Sequence, residues 1–186
     1  MANDFNGNLY VNTEGNIPTY SGVVAAYSPY TTATDMAVLQ NPASSTVMLK
    51  VARVLVSGNA TSVALLPIYL YKRSALNTGG TSASITDTAH DSNDAASTGN
   101  MLSYSAAPTL NGTGTIIRAL DIILAGGTPT GSTPPVYEWK FGEVGGEKQL
   151  HLRPGEQLSI NNNSRAVPGG ASLYFTIEWT ETANYT

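Results

Sequence analysis

The segment Thr86-Asp87-Thr88-Ala89-His90-Asp91-Ser92-Asn93-Asp94 gathers oxygen donors around one of the chain's two histidines. Asp87, Asp91, Asn93 and Asp94 offer the carboxylate and amide oxygens that Ca²⁺ takes in sets of about six to eight. The spacing lacks the glycine and the closing glutamate of an EF-hand loop, so the expected role is turn capping and no metal is expected. His151 stands between Leu150 and Leu152, as an exposed member of a strand. No serine sits in a nucleophile-elbow motif, so a Ser/His/Asp triad has no sequence support. Glu138, Glu143, Glu147 and Glu156 are candidates only in that they are present, since glycosidase chemistry needs two acids positioned in one cleft. Gly112-Thr113-Gly114 and Gly145-Gly146 lack the Lys-Ser/Thr of a phosphate loop and read as turns. Tyr137, Trp139 and Phe141 alternate with charged residues, and such a stripe is a core face more often than a sugar platform. The expectation is a protein that is not an enzyme and has no catalytic residues and no cofactor.

The elements that would carry these residues are strands. In Thr46–Arg73, two β-branched apolar runs flank Ser57-Gly58-Asn59-Ala60, which reads as the turn of a central antiparallel hairpin. Val47, Leu49 and Val51 share one parity, and Val54 and Val56 the other. A slip of one residue sends side chains to opposite faces, so a β-bulge is expected near Arg53. Pro67 has no N–H for a ladder and points to an edge or an irregularity. Leu173, Phe175, Ile177 and Trp179 alternate with polar neighbours over the cleanest period-two stretch in the chain. Gly114 to Ala125 also fits helical spacing, but its isoleucines and flanking glycines favour a strand. Arg153-Pro154-Gly155-Glu156 is a turn signal between Leu150–Leu152 and Leu158–Ile160. Gly126 to Pro135 reads as an extended loop. With Asp35 to Leu39 and Met101 to Tyr104 there are roughly eight strand candidates and no amphipathic helix. The predicted fold is all-β: an antiparallel, jelly-roll-like β-sandwich.

Composition agrees with that class. The 186 residues are 41% hydrophobic but only 12% charged, against about 25% in average proteins. A net charge of −4 with nine scattered Lys and Arg disfavours nucleic-acid partners. Without cysteine, disulfides and thiolate chemistry are excluded, which suits synthesis in a reducing cytosol. No signal peptide is read at the first residues, and Val63 to Tyr71 is too short to span a bilayer. No membrane association is expected.

Residues 1–34 read as an extended N-terminal arm, with residues 35–186 as the sandwich domain. The arm is polar and rich in Gly and Pro. Only Val23 to Tyr27 suggests a strand. Its tyrosines Tyr10, Tyr20, Tyr27 and Tyr30 offer contact area that a plain linker lacks, which makes them the candidate partner-binding residues. Leu76 to Pro108 is a long polar excursion, of a length that implies function or support from neighbours.

Residues 72–98 (KRSALNTGGTSASITDTAHDSNDAAST), 103–119 (SYSAAPTLNGTGTIIRA), Trp139-Phe141-Gly142-Glu143 and Ile177–Glu181 (IEWTE) carry a resemblance. Over most of residues 35–181 the chain resembles small tailed-bacteriophage virion proteins of jelly-roll type. The resemblance implies a structural component of the particle and brings no catalytic residues with it. It leads to the expectation of a capsid decoration or cement protein, made in the host bacterial cytoplasm and sited on the capsid surface. The expected partners are the major capsid protein and copies of itself, with a homotrimer as the first expectation. The alternative is a tail, baseplate or fibre component that binds host glycans through Tyr137 and Trp139 or through loop 76–108.

Overall fold

The structure, a computed structural model, describes residues 2–3, 9–10, 17–30, 34–127, 134–142 and 148–183. Among them are fourteen strands and no helix. β1 (Ala2–Asn3) and β2 (Leu9–Tyr10) pair only with each other. The remainder are β3 (Thr19–Tyr27), β4 (Asp35–Gln40), β5 (Val47–Ala60), β6 (Ala64–Arg73), β7 (Thr81–Ser84), β8 (Asp87–Ala89), β9 (Asn100–Ala106), β10 (Gly114–Gly126), β11 (Tyr137–Lys140), β12 (Leu150–Leu152), β13 (Gln157–Asn161) and β14 (Ser172–Ala183).

These strands form two antiparallel layers. One runs β8-β3-β14-β5, with β11 and β12 end to end along the far side of β5; the other runs β7-β9-β4-β13-β6-β10. Without the three strands of the excursion, the orders are β3-β14-β5-β11/β12 against β4-β13-β6-β10. Counting β11 and β12 as one strand, successive strands alternate between layers except β6 and β10, which pair with each other, and the last strands return beside the first, which is jelly-roll connectivity. The layers join at one seam, where Ala125 and Gly126 of β10 lie parallel to Asn59 and Ala60 of β5.

The core follows from period-two patterning. Leu173, Phe175, Ile177 and Trp179 of β14 face Leu66, Ile68 and Leu70 of β6, with Leu158 and Ile160 of β13 beside them, all fully buried. Tyr20 and Trp179 stack with ring centres 6.1 Å apart. In β5 the inward parity changes as expected. Glu178 of β14 pairs with Arg53 and Trp179 with Val51, so Ala52 is the extra residue that keeps Leu49, Val51, Val54 and Val56 all inside. Pro67 lies two residues beyond the last β6–β13 pair, Tyr69 with Asn161, so a ladder runs on only one of its sides.

Two expectations are corrected. β5 and β6 are not a hairpin. The turn moves to residues 61–63 and carries the chain across the sandwich, so β5 pairs with β14 and β6 with β10 and β13. The sandwich also takes in Thr19–Tyr27, which the sequence analysis places in the arm of residues 1–34. β3 lies along β14, and without Tyr20, Val24 and Tyr27 the inner face of that layer would be open.

The long polar excursion is held by both layers. β8 extends the first beside β3, and β9 and β7 extend the second beside β4. Across that edge Gly22 admits Met101; a Cβ there would stand 2.3 Å from the Met101 sulfur. The Tyr27 hydroxyl donates to the Tyr104 carbonyl at 2.6 Å. Glu181 fastens the end of the excursion, accepting from Ser97 Oγ (2.7 Å), the Thr98 and Gly99 N–H groups (2.9 and 3.1 Å) and Trp179 Nε1 (3.3 Å).

Candidate functional site

The outward face of the first layer holds one row of residues drawn from four strands. Thr19 of β3 pairs with Thr180 of β14, Thr180 with Lys50 of β5, and Lys50 with His151 of β12. All four alternate with inward residues, so the pleat presents them together. Above the row lie two adjoining hollows of about 480 and 430 Å³, both lined by Ile17, Lys50 and His151. Thr19, Thr180 and Gln149 line the smaller one, and Met48, Glu181 and Thr182 the larger. Together they make a shallow trough with hydroxyl and amide groups, one ammonium, one imidazole and the Glu181 carboxylate, and an apolar wall of Ile17 and Met48.

The corner around His151 is rich in cations, in a protein of net negative charge. Partial burial, and then the cations Lys50, Lys148, Lys72 and Arg153, hold the His151 imidazole below the ordinary histidine range. The acids around this corner are already engaged. Glu156 takes Lys72 Nζ at 2.8 Å and the Arg153 N–H at 2.7 Å. Glu181 is held by the 97–99 segment. In the next row outward, Arg53 donates to both oxygens of Glu178 (2.6 and 2.7 Å) and reaches Glu138 at 3.4 Å. Lys50 forms no ion pair among the described residues.

A second surface lies at the other end of the sandwich. β10 is paired with β6 along one side, while on its other side, among the described residues, only Ala125 and Gly126 are laddered, to β5. Ile116, Leu120 and Ile123 are exposed on this strand, and Leu65, directly opposite Ile123, is 63% exposed. Val63 and Val136 extend the same apolar character, at 72% and 62% exposure.

The residues singled out by sequence are distributed as follows. Tyr20 and Tyr27 are in the core, 2% and 8% exposed, so they are not available to a partner. Burial raises both phenols above the ordinary tyrosine range. Tyr30 bonds through its hydroxyl to Thr34 and to the Asp35 carbonyl, while the side chain of Tyr10 lies outside the described residues. Tyr137 and Trp139 are half-buried against the core and Phe141 is buried, so this stripe is a core face. The Tyr137 hydroxyl accepts the Ile123 N–H at 2.9 Å. His90 is exposed, and the Asp91 carboxylate accepts the Asn93 N–H at 2.9 Å in an Asx turn. Among the described residues no three His, Asp or Glu come together as metal ligands. Glu143 and Glu147 lie outside the described residues, as does much of the 126–135 loop. Sequence reasoning missed the Thr19–Thr180–Lys50–His151 row, because its members meet only through the register of four strands.

Compared with models of protein families, with curated proteins and with solved structures, the chain matches none.

Proposed function

We propose that this chain is a bacteriophage virion structural protein, a decoration or cement subunit that binds the outer shell and stabilises it. The observation that carries the reading is the β10 edge, which over residues 114–124 pairs with no second strand among the described residues, with Ile116, Leu120, Ile123 and Leu65 exposed beside it. An apolar strand edge left uncovered is a surface that a particle subunit covers on assembly. Burying such half-exposed side chains is worth on the order of 1 kcal/mol each, which becomes substantial over a repeated lattice. A ligand of the assembled shell alone shifts the equilibrium toward it. The jelly-roll topology and the sequence resemblance to phage virion proteins support the same reading. The proposed partners are the major capsid protein and sister copies in a homotrimer. The tail or fibre alternative draws no support from Tyr137 and Trp139, which turn inward.

The test is occupancy on capsids stripped of the protein, read by stained gel, together with the temperature at which the shell opens. Hundreds of copies per particle and a higher opening temperature are expected. Leu65→Asp with Ile123→Asp should lower occupancy more than tenfold while leaving the folded domain intact. Six or twelve copies per particle, or full occupancy by the double variant, would refute the reading.

A further inference from the structure

Two observations make the trough on the first layer more than a polar surface. Its cation forms no ion pair among the described residues: Glu181 lines the same hollow as Lys50 but is committed to Ser97 and to the Thr98 and Gly99 N–H groups. Its remaining groups are graded. Thr19, Thr180 and Gln149 offer donors and acceptors in the smaller hollow, Met48 adds apolar surface in the larger, and Ile17 lines both. We infer that this trough receives carboxylate side chains of an extended acidic segment on a protein partner, with Lys50 as the anchor and the Thr19–Thr180–Lys50–His151 row as its floor.

The form of the site selects the occupant. An acidic sugar is usually held by an aromatic face under the ring and a concave pocket around it. The trough is shallow, has no aromatic residue in its lining and crosses four strands. That shape suits an extended chain with side chains spaced along it, and a protonless carboxylate is the acceptor that an ammonium with adjacent hydroxyls favours. Lys148 and Arg153 lie near enough to act on His151 and add long-range attraction for a negative partner, which speeds encounter and is screened by salt, whereas Lys72 is neutralised by Glu156. The inference rests on the assembly reading for its choice of a protein as partner. The two fail separately, since occupancy is read on particles and the trough on peptide binding.

The experiment is an NMR titration of the full chain with hexaglutamate, with hexaglutamine as the neutral control and glucuronate as the acidic sugar. Hexaglutamate should shift the amides of Lys50, Thr180 and His151 together, with affinity falling as salt rises. Lys50→Ala should weaken binding at least fivefold. Arg165→Ala removes the same charge from a hollow on the opposite layer, lined with Leu65, Pro67, Tyr69 and Asp121, and should leave binding unchanged. Shifts spread evenly over the surface cations, an equal loss in both variants, or tighter binding of glucuronate than of hexaglutamate would each overturn the inference.

Discussion

Replacing Asp35 with alanine should cost about 3–5 kcal/mol of stability, the cost of leaving a buried cation without its anion. Asp35 is fully buried at the start of β4, and Arg73 at the end of β6 is 6% exposed. Arg73 donates to both carboxylate oxygens, Nε to Oδ2 at 2.9 Å and Nη2 to Oδ1 at 3.0 Å. Asn77 and Asn161 donate to the same carboxylate at 2.7 and 2.6 Å. Removing the acid therefore strands a guanidinium and two amides at once, across β4, β6, β13 and the start of the excursion. The reverse change, Arg73→Met, leaves those amides on the carboxylate and should cost less. With a urea slope of about 2 kcal/mol per molar, Asp35→Ala moves the unfolding midpoint down by roughly 1.5–2.5 M. Urea unfolding followed by tryptophan fluorescence measures this, because Trp179 reports from the core. A loss below about 1 kcal/mol would mean that water reaches Arg73, and it would refute the claim that this network is sealed. Equal losses for the two single variants would refute the assignment of Asp35 as its hub.

Removing residues 1–16 should leave a cooperative unfolding transition, whereas removing residues 1–28 takes β3 away from β14 and should abolish it, as measured by near-UV circular dichroism. Intact folding of the longer truncation would return Thr19–Tyr27 to an arm. Asp87 offers a pH signature: burial, and then the charge of Glu181, push its carboxyl up to about 6, with Oδ1 lacking a hydrogen-bond partner. An acid whose folded pKa lies above its unfolded value binds its proton more tightly when folded, so its contribution favours folding most in acid and is lost as pH rises from about 4 to about 6. Asp87→Asn should raise the melting temperature at pH 7 and change it little at pH 4; an unchanged difference across that range would refute the shift.

What the sequence revealed was what neighbouring residues decide. Alternation in Leu173–Trp179 gave the buried face of β14, and the parity slip in Val47–Val56 gave the bulge at Ala52. Flanking glycines gave the strand at Gly114–Gly126, and Arg153-Pro154-Gly155-Glu156 gave a turn, closed by the Glu156 N–H to the Arg153 carbonyl with Gly155 at φ +84°. What it hid was which strand lies beside which. A short link can close a hairpin or cross a sandwich, and Ser57–Val63 looks suitable for either. β4 is buried on all six residues, a pattern that Asp35 and Gln40 disguise as half-polar. Their partners Arg73, Asn77, Asn161 and Gln157 stand between 38 and 126 residues away in the chain. The trough was illegible for the same reason, since Thr19, Lys50, His151 and Thr180 acquire meaning only from register.

The same excursion that looked structureless closes the sandwich, and this bears on how the protein can serve in an assembly. An open two-layer sandwich has two edges. Here one is joined by the β5–β10 seam, and the other by β8 and β9, with Glu181, Gly22 and the Tyr27–Tyr104 bond fixing the closure from three directions. Pairing of the described strands then leaves β10 with its backbone unladdered on one side over residues 114–124, and apolar side chains gather beside that stretch. Closure at the excursion and exposure at β10 are therefore complementary. Lattice contact through β10 requires no rearrangement of the excursion, so the domain can present the edge while its core remains sealed. The trough around Lys50 belongs to the outward face of the other layer. On the proposed reading the subunit binds through both surfaces at once, and each contact is then removable by substitution without opening the other.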